Sequence, residues 1–402
     1  MTGQLACAFV LCACSSTETS NDAPNALAAD DSHVNAAAAG RSGPNHAAAI
    51  GGNSGTVARG TMAATAPGGA AMSAATTATA GAAASASDAS ASGSAGTNSS
   101  AGAGSNSTAG AAGESHTPEA PTVECDPKDM LPEAENVPLN SITGSSNPAP
   151  IVPAKGPLVP VVEHDPGLDS HTVYRPMVLG ERKLPIVAWA NGGCVKNGTM
   201  FARFLLEIAS HGFVIVADGK PNGSGGGSLS TDGGPQKMAM DWIVAENERP
   251  CSKYYHKLDT TKIAAMGQSC GGLMTLGASS DPRLTTAVIW NSGLFERDEM
   301  IYKGLHTPIA YIIGGPDDVA YPQAESDFEA INTVPFFYGN LGVGHTGTYA
   351  QDNGGEFAQV GIAWLQWQLY GEMSPTTSGI FLGADCALCT NSMWTVKKKM
   401  ME

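Results

Sequence analysis

Ser269 is the residue of this sequence whose surroundings best fit covalent chemistry. It stands in Gly-Gln-Ser-Cys-Gly (267–271), which matches the nucleophile-elbow pattern G-x-S-x-G. An apolar run precedes the pattern and a small, helix-compatible run follows it, so the serine is expected on a tight turn between a strand and a helix. Side chains at Gly267 and Gly271 would collide with that strand and helix. The pattern therefore predicts a nucleophilic serine; the alternative is a chance match in a chain rich in Gly and Ser.

A serine hydroxyl attacks readily only when a base accepts its proton and a carboxylate orients that base. Asp317 and Asp318 follow an apolar run at 308–313, and His345 lies in a Gly-rich loop further along the chain. The order Ser, Asp, His is the one expected with a nucleophile elbow. Asp317 is favoured as the acid because it stands three residues past Gly314, and Asp318 is then expected to cap or hydrogen-bond the loop.

Backbone N–H groups are expected to stabilise the oxyanion that forms when the serine attacks a carbonyl. Cys270, the residue after the serine, supplies one donor, helped by the helix N-terminus behind it. Gly193 or Cys194 supplies the other, because both follow a predicted strand at 184–190. The alternative for this Gly pair is a plain tight turn. Cys270 is either a buried thiol or bridged to Cys194 or another cysteine, and the sequence leaves this open.

Trp189 and Trp290 stand at the ends of two predicted strands, beside the expected site. We expect them to form an apolar wall for the acyl or aromatic part of a substrate, with ordinary core packing as the alternative.

The elements that must position these residues alternate between strands and helices, which indicates an α/β fold with a doubly wound, mostly parallel sheet flanked by helices. The first two strands are expected to join it antiparallel. Strands are predicted at 159–163, 171–178, 184–190, 213–217, 263–267, 286–290, 308–313 and 335–339, and helices at 199–210, 235–246 and 357–369.

The composition divides the chain into three parts. Residues 1–20 are predicted to be a signal peptide, whose apolar run is too short to span a bilayer. Leu11–Ser15 resembles a bacterial lipobox, which implies lipidation of Cys14; an ordinary cleaved signal is the alternative. Residues 21–124 are rich in Ala, Ser, Gly and Thr and are predicted to be a disordered linker. Residues 125–402 form the predicted catalytic domain.

Charge and cysteine content limit the partners. The formal net charge is -16, which argues against binding nucleic acid or anionic membranes by charge.

Six of the nine cysteines lie outside the leader, an even number compatible with three disulfides in an exported protein. Cys386 and Cys389 form a single C-x-x-C without a second pair or a nearby His, so zinc is not expected. No other metal and no cofactor is expected.

Several segments together resemble the α/β-hydrolase superfamily, and most closely its dienelactone-hydrolase, cutinase and polyester-hydrolase group. The similarity covers about residues 150–371 and rests on these segments: Trp189–Cys194, Ala209–Val216, Gly267–Gly272, Gly314–Asp317 and Gly344–His345. It implies serine carboxylester hydrolysis with Ser269 as nucleophile, Asp317 as acid and His345 as base. Cys270 replaces the Met usual after the serine in that group, and Gly-Gly-Cys replaces its first oxyanion residue, so substrate preference does not carry over.

The leading hypothesis is therefore an exported or surface-tethered serine esterase, acting on polymeric or short-chain acyl or aryl esters. A carbohydrate or aryl esterase is the alternative within the enzymes. A non-catalytic surface-binding lipoprotein on a hydrolase scaffold is the alternative outside them, and an intact triad in the required order argues against it. The expected partner is an ester substrate, with membrane contact only through a lipid on Cys14.

Overall fold

The computed structural model describes residues 125–126, 130–229 and 231–401. The predicted leader with Cys14, and the predicted linker, lie outside these residues. Within them the chain forms one ten-stranded sheet in the order β1-β2-β3-β5-β4-β6-β7-β8-β9-β10. The strands are β1 Glu135–Asn136, β2 Pro160–His164, β3 His171–Pro176, β4 Leu184–Ala190, β5 Val214–Asp218, β6 Leu258–Gln268, β7 Leu284–Trp290, β8 Ile309–Ile313, β9 Phe336–Leu341 and β10 Trp394–Lys399.

The sheet is parallel from β5 through β4, β6, β7 and β8 to β9. On one side β3 pairs antiparallel with β5 and continues the sheet to β2 and β1, and on the other side β10 pairs antiparallel with β9. The α/β-hydrolase fold with a mostly parallel sheet and an antiparallel first hairpin is thereby confirmed. In such a sheet the carboxyl ends of the parallel strands share one edge, where catalytic loops belong.

Helices cover both faces of the sheet, because the inner strands are apolar on both sides. One core cluster joins one side of the strands to α1 and α6, and two others join the opposite side to α2, α3 and α5. The helices are α1 Ala202–Ser210, α2 Gly234–Glu248, α3 Cys270–Ala278, α4 Glu299–Gly304, α5 Tyr321–Ala330, α6 Gly355–Tyr370 and α7 Ala387–Thr390. No helix of the described residues combines the length and the apolar character needed to cross a bilayer.

Two differences from the predicted elements have clear causes. Strand β6 begins at Leu258 rather than at Ile263. Its first residues include the polar sequence Asp-Thr-Thr-Lys, so an apolar run does not mark this part of the strand. Strand β10 was not predicted, since its sequence ends in three lysines and carries little apolar alternation. It exists because β9 offers it a complete row of partners, from Leu341 to Phe336.

Six cysteines outside the predicted leader form three disulfides, as their even number suggested. The bridges are Cys125–Cys251, Cys194–Cys270 and Cys386–Cys389.

The contribution of the core is testable with two phenylalanines of opposite exposure. Phe337 on β9 is 0% exposed and its ring contacts Phe381 edge-on, whereas Phe295 is 57% exposed. Phe337→Ala should lower the free energy of unfolding by about 3–5 kcal/mol, because it leaves a cavity in the core. Phe295→Ala should change it by less than about 0.5 kcal/mol. Urea denaturation measures both, and equal effects would contradict this placement of Phe337.

Candidate active site

The nucleophile elbow is the turn between β6 and α3, and Ser269 occupies its apex as the residue just before α3. Its backbone has φ 54° and ψ −117°, a conformation that L-residues rarely adopt. The backbone is held there because the Ser269 N–H donates to the carbonyl of Trp290 at 2.9 Å. The Ser292 hydroxyl donates to the Ser269 carbonyl at 2.7 Å. The side chain of Ser269 is thereby directed away from the strand, and the residue stays partly exposed.

The two glycines of the elbow are required by close approach, as the sequence predicted. A Cβ on Gly267 would overlap the carbonyl of Gly271, and a Cβ on Gly271 would overlap the backbone of Ala190. The helix can therefore start directly against the neighbouring strand, which places its N-terminus at the catalytic edge of the sheet.

Ser269, His345 and Asp318 form a continuous hydrogen-bonded chain. The Ser269 Oγ lies 2.9 Å from Nε2 of His345, and Nδ1 of the same ring lies 2.6 Å from Oδ1 of Asp318. An ionised carboxylate only accepts hydrogen bonds, so Nδ1 carries the ring proton and Nε2 is free to accept from the serine hydroxyl. The structure thus brings together the serine and histidine singled out in the sequence.

Asp317 is not the partner of His345, and the preference for it was wrong. Asp317 is exposed to solvent, whereas the side chain of Asp318 is fully buried beside the imidazole. The loop turns so that the second carboxylate, not the first, faces inward. The Asp318 carboxylate accepts hydrogen bonds from His345, from the N–H groups of Gly314 and Ala320, and from the Asn291 amide.

These hydrogen bonds decide the ionisation of Asp318. Burial alone would raise its pKa, but the hydrogen bonds outweigh burial and hold the pKa of the carboxyl below its usual range. Asp318 is therefore a carboxylate at neutral pH. It can keep the His345 ring in one tautomer and stabilise the imidazolium when that ring is protonated.

Asn291 is a positioning residue that the sequence reasoning missed. It follows β7 directly, and its amide donates to Oδ2 of Asp318 at 2.7 Å and to the Gly344 carbonyl at 3.3 Å. The buried Tyr349 hydroxyl donates to Oδ1 of Asn291 at 2.5 Å. Asn291 thus joins Asp318 to the loop that carries His345. Its position just past a parallel strand, at the catalytic edge, was the one available signal.

Gln268 connects the elbow to two neighbouring loops. Its side-chain amide donates to the carbonyl of His345 at 3.1 Å. The same side chain lies so close to Gly192 that a Cβ there would overlap its Oε1. Gln268 therefore spaces the His345 loop from the turn that follows β4.

The predicted oxyanion residues lie on two segments that meet at the elbow. The Cys270 N–H is the first of α3, where no carbonyl of the helix can accept it. Gly193 and Cys194 belong to a short 3₁₀ turn, Gly192–Cys194, directly after β4. A disulfide between Cys194 and Cys270, with Cα atoms 5.3 Å apart, joins the two segments. The question the sequence left open about these sulfurs is thereby answered, and the donor role of the three residues stays a prediction.

Trp189 and Trp290 do not line the site. Both are 0% exposed and belong to the core beneath α1 and α6. The alternation of each strand turns these rings to that face of the sheet rather than to its edge. Trp189 still serves the site indirectly, because its indole N–H donates to Oδ1 of Asn191 at 2.9 Å and orients that amide.

No group of three or more His, Cys, Asp or Glu side chains within 125–126, 130–229 and 231–401 is arranged to hold a metal ion.

The sheet order and the elbow at its catalytic edge define an α/β-hydrolase. A family model described as PETase, PET hydrolase-like, matches residues 156–371, which is more than half of the chain. The chain belongs to this PET hydrolase-like family, and its membership supports a polyester or carboxylic ester hydrolase. A comparison with curated proteins gave no match.

The assignment of the acid can be tested with two adjacent substitutions of the same kind. Asp318→Asn should lower kcat for an ester substrate by about 10³–10⁴-fold, because the ring loses the charge and the tautomer that the carboxylate imposes. Asp317→Asn, in an exposed position, should stay within about twofold of the unchanged protein. Steady-state kinetics on both variants decides the matter, and the reverse ranking would restore Asp317 as the acid.

Proposed function

We propose that this protein is a serine carboxylester hydrolase that works through an acyl-enzyme on Ser269. The observation that carries the proposal is the hydrogen-bonded chain from Ser269 Oγ through His345 to the buried Asp318 carboxylate. Family membership supports the ester class of substrate. The chain of three groups supplies what a serine needs for attack: a base in contact with its hydroxyl and a fixed anion behind that base.

The proposed reaction has two halves. In the first, Nε2 of His345 takes the hydroxyl proton while Oγ of Ser269 bonds to the ester carbonyl carbon, whose oxygen becomes an oxyanion. The intermediate collapses, the bond to the alcohol oxygen breaks, and the imidazolium returns its proton to the leaving alcohol. In the second half a water molecule gives a proton to Nε2 and its oxygen bonds to the acyl carbon. The bond from that carbon to Oγ of Ser269 then breaks, and the imidazolium returns its proton to Oγ, which releases the acid and restores the serine.

Asp318 and the elbow supply the electrostatics of both halves. The Asp318 carboxylate stabilises the imidazolium, since its own pKa lies below the usual range and it does not take the proton. The oxyanion is proposed to bind the N–H of Cys270 and an N–H of Gly193 or Cys194, at the positive end of the α3 dipole.

We propose polymeric or short-chain acyl or aryl esters as substrates. Ser269 is partly exposed and the His345 side chain is 30% exposed, so the reacting atoms are accessible from solvent. Exposed apolar side chains also stand in the loops that follow β7 and β8: Phe295 is 57% and Val319 is 72% exposed. An open site at a sheet edge whose loops carry exposed apolar side chains suits an ester group within a chain too large to be enclosed.

The proposed chemistry is tested with Ser269→Ala, assayed on p-nitrophenyl esters of increasing acyl length and on an insoluble polyester film. The unchanged protein should turn over at least one of these, and the variant should lose about 10⁶-fold in kcat, since the covalent step is removed.

Equal hydrolysis by both proteins would refute Ser269 as nucleophile. A fluorophosphonate probe should also label the unchanged protein and not the variant. A folded protein that the probe does not label would favour the non-catalytic binding lipoprotein. Turnover confined to acetylated sugars or small aryl esters would favour the carbohydrate or aryl esterase.

We further propose that the protein is exported and held at the cell surface or outer membrane by a lipid on Cys14, or secreted. Three disulfides support an oxidising compartment, and Leu11–Ser15 supports lipidation through its resemblance to a lipobox. Cells expressing the full chain should incorporate radiolabelled palmitate into the protein, and Cys14→Ser should abolish the label while Cys12→Ser retains it. Equal labelling of both variants, or none of the unchanged protein, would refute the anchor.

A further inference from the structure

The Cys194–Cys270 disulfide joins the two segments from which the proposed oxyanion donors come. Cys194 ends the turn after β4, and Cys270 begins α3 next to the nucleophile. Both residues are buried, at 8% and 7% exposure, in a small apolar cluster with Ala190 and Met274. The bridge therefore lies inside the protein, directly beneath the catalytic turn.

The turn after β4 is closed by one hydrogen bond of its own, from the Val195 N–H to the Gly192 carbonyl at 3.1 Å. Gly193 has φ 61°, and Cys194, which carries a side chain, has φ 53°. Two successive left-handed residues are unusual, and the second is disfavoured for an L-residue with a Cβ. The covalent bond from Cys194 to Cys270 adds a contact from outside the turn that helps to keep Cys194 in this conformation.

The opposite side of the turn has weaker support. The Cys194 carbonyl accepts a hydrogen bond from Gly227 N–H at 2.5 Å, and the Lys196 N–H donates to Gly225 at 3.0 Å. These partners belong to the segment Gly-Ser-Gly-Gly-Gly (223–227), which has almost no side chains to pack. Glycine-rich backbone is conformationally permissive, so it follows the turn rather than fixing it.

The start of the turn is fixed by Asn191. Its amide donates to the carbonyls of Val195 at 3.3 Å, Asn197 at 2.9 Å and Asp218 at 2.5 Å. These bonds anchor the ends of the turn to β5 but leave the N–H groups of Gly193 and Cys194 to be aimed by the bridge. The disulfide links this turn covalently to the first residue of α3, and so fixes the direction of these N–H groups relative to Ser269.

We propose that the Cys194–Cys270 disulfide is a positioning element of the active site, which fixes the distance and direction between the oxyanion donors on the two segments. This inference rests on the proposed serine hydrolase function and extends it. The bridge touches no reacting atom and acts through the N–H groups of Gly193, Cys194 and Cys270.

The proposal has a kinetic signature. N–H donors directed at the oxyanion stabilise the transition state more than they stabilise the bound substrate. Losing their alignment therefore lowers kcat and leaves KM nearly unchanged. A displacement of about 1 Å at such a site costs up to about 100-fold in rate. We therefore expect opening of the bridge to lower kcat by about 10–100-fold, with KM within about twofold.

The test compares two double variants of the full chain on a p-nitrophenyl ester. Cys194→Ala/Cys270→Ala should show the fall in kcat at unchanged KM. Cys386→Ala/Cys389→Ala removes a bridge on α7, far along the chain from the elbow, and should keep both constants. A trifluoromethyl ketone, whose hemiketal oxygen on Ser269 mimics the oxyanion, should lose affinity for the first variant by the same factor as kcat/KM falls.

The outcomes separate the two proposals. An unchanged protein without esterase turnover overturns both. Turnover with equal kcat in the first variant and the unchanged protein, at equal inhibitor affinity, overturns the positioning role alone. A fall in activity with unchanged inhibitor affinity, or a rise in KM alone, also overturns it, because a merely structural bridge would act in that way.

A folding defect in the first variant does not end the test. The unchanged protein can be treated with a phosphine reductant, and thiols from each bridge can be counted by peptide mass spectrometry while kcat and circular dichroism are followed. Loss of kcat that tracks release of Cys194 and Cys270, at constant circular dichroism, supports the proposal. Retained kcat after that bridge has opened overturns it.

Discussion

The conformation of Ser269 is the constraint on which the rest of the site depends. At φ 54° and ψ −117°, the residue would relax if the chain around it could move. It is kept there by the hydrogen bonds to Trp290 and Ser292. The close approach of Gly271, near the start of α3, to the backbone of Ala190 also holds it. Fixing this one turn sets where the hydroxyl, the α3 N-terminus and the proposed first oxyanion donor lie, so His345 and Asp318 have to be brought to it.

The groups that come to the elbow are held by buried amides rather than by ion pairs alone. Asn291 links the Asp318 carboxylate to the His345 loop, Gln268 links that loop to the elbow, and Asn191 anchors the turn after β4. Each amide offers both a donor and acceptors, so it can join two loops without placing a net charge in the interior. The arrangement of this edge of the sheet therefore depends on three neutral side chains at the carboxyl ends of β4, β6 and β7.

Local patterns in the sequence predicted the parts of the site that depend on local structure. The apolar runs predicted the parallel strands, and Ser269 and His345 follow from patterns within a few residues. The choice between Asp317 and Asp318 could not be made in that way, because it depends on which carboxylate Asn291 meets from another strand. The prediction for Trp189 and Trp290 was wrong because nearness to a strand end does not show to which face of the sheet a side chain turns, and both rings lie in the core. Strand β10 could not be predicted from its composition, because it forms through pairing with β9.

The two outer strands of the sheet have a consequence for the protein at high concentration. An exposed strand edge is a template on which another chain can add a strand. Here β1 is only two residues long. At the other side β10 ends in Lys397, Lys398 and Lys399, whose ammonium groups pair with Glu325 or with backbone carbonyls of the same chain. A short strand and a lysine-bearing strand are poor templates. In the described part of the chain, both edge strands of the sheet therefore disfavour edge-to-edge aggregation.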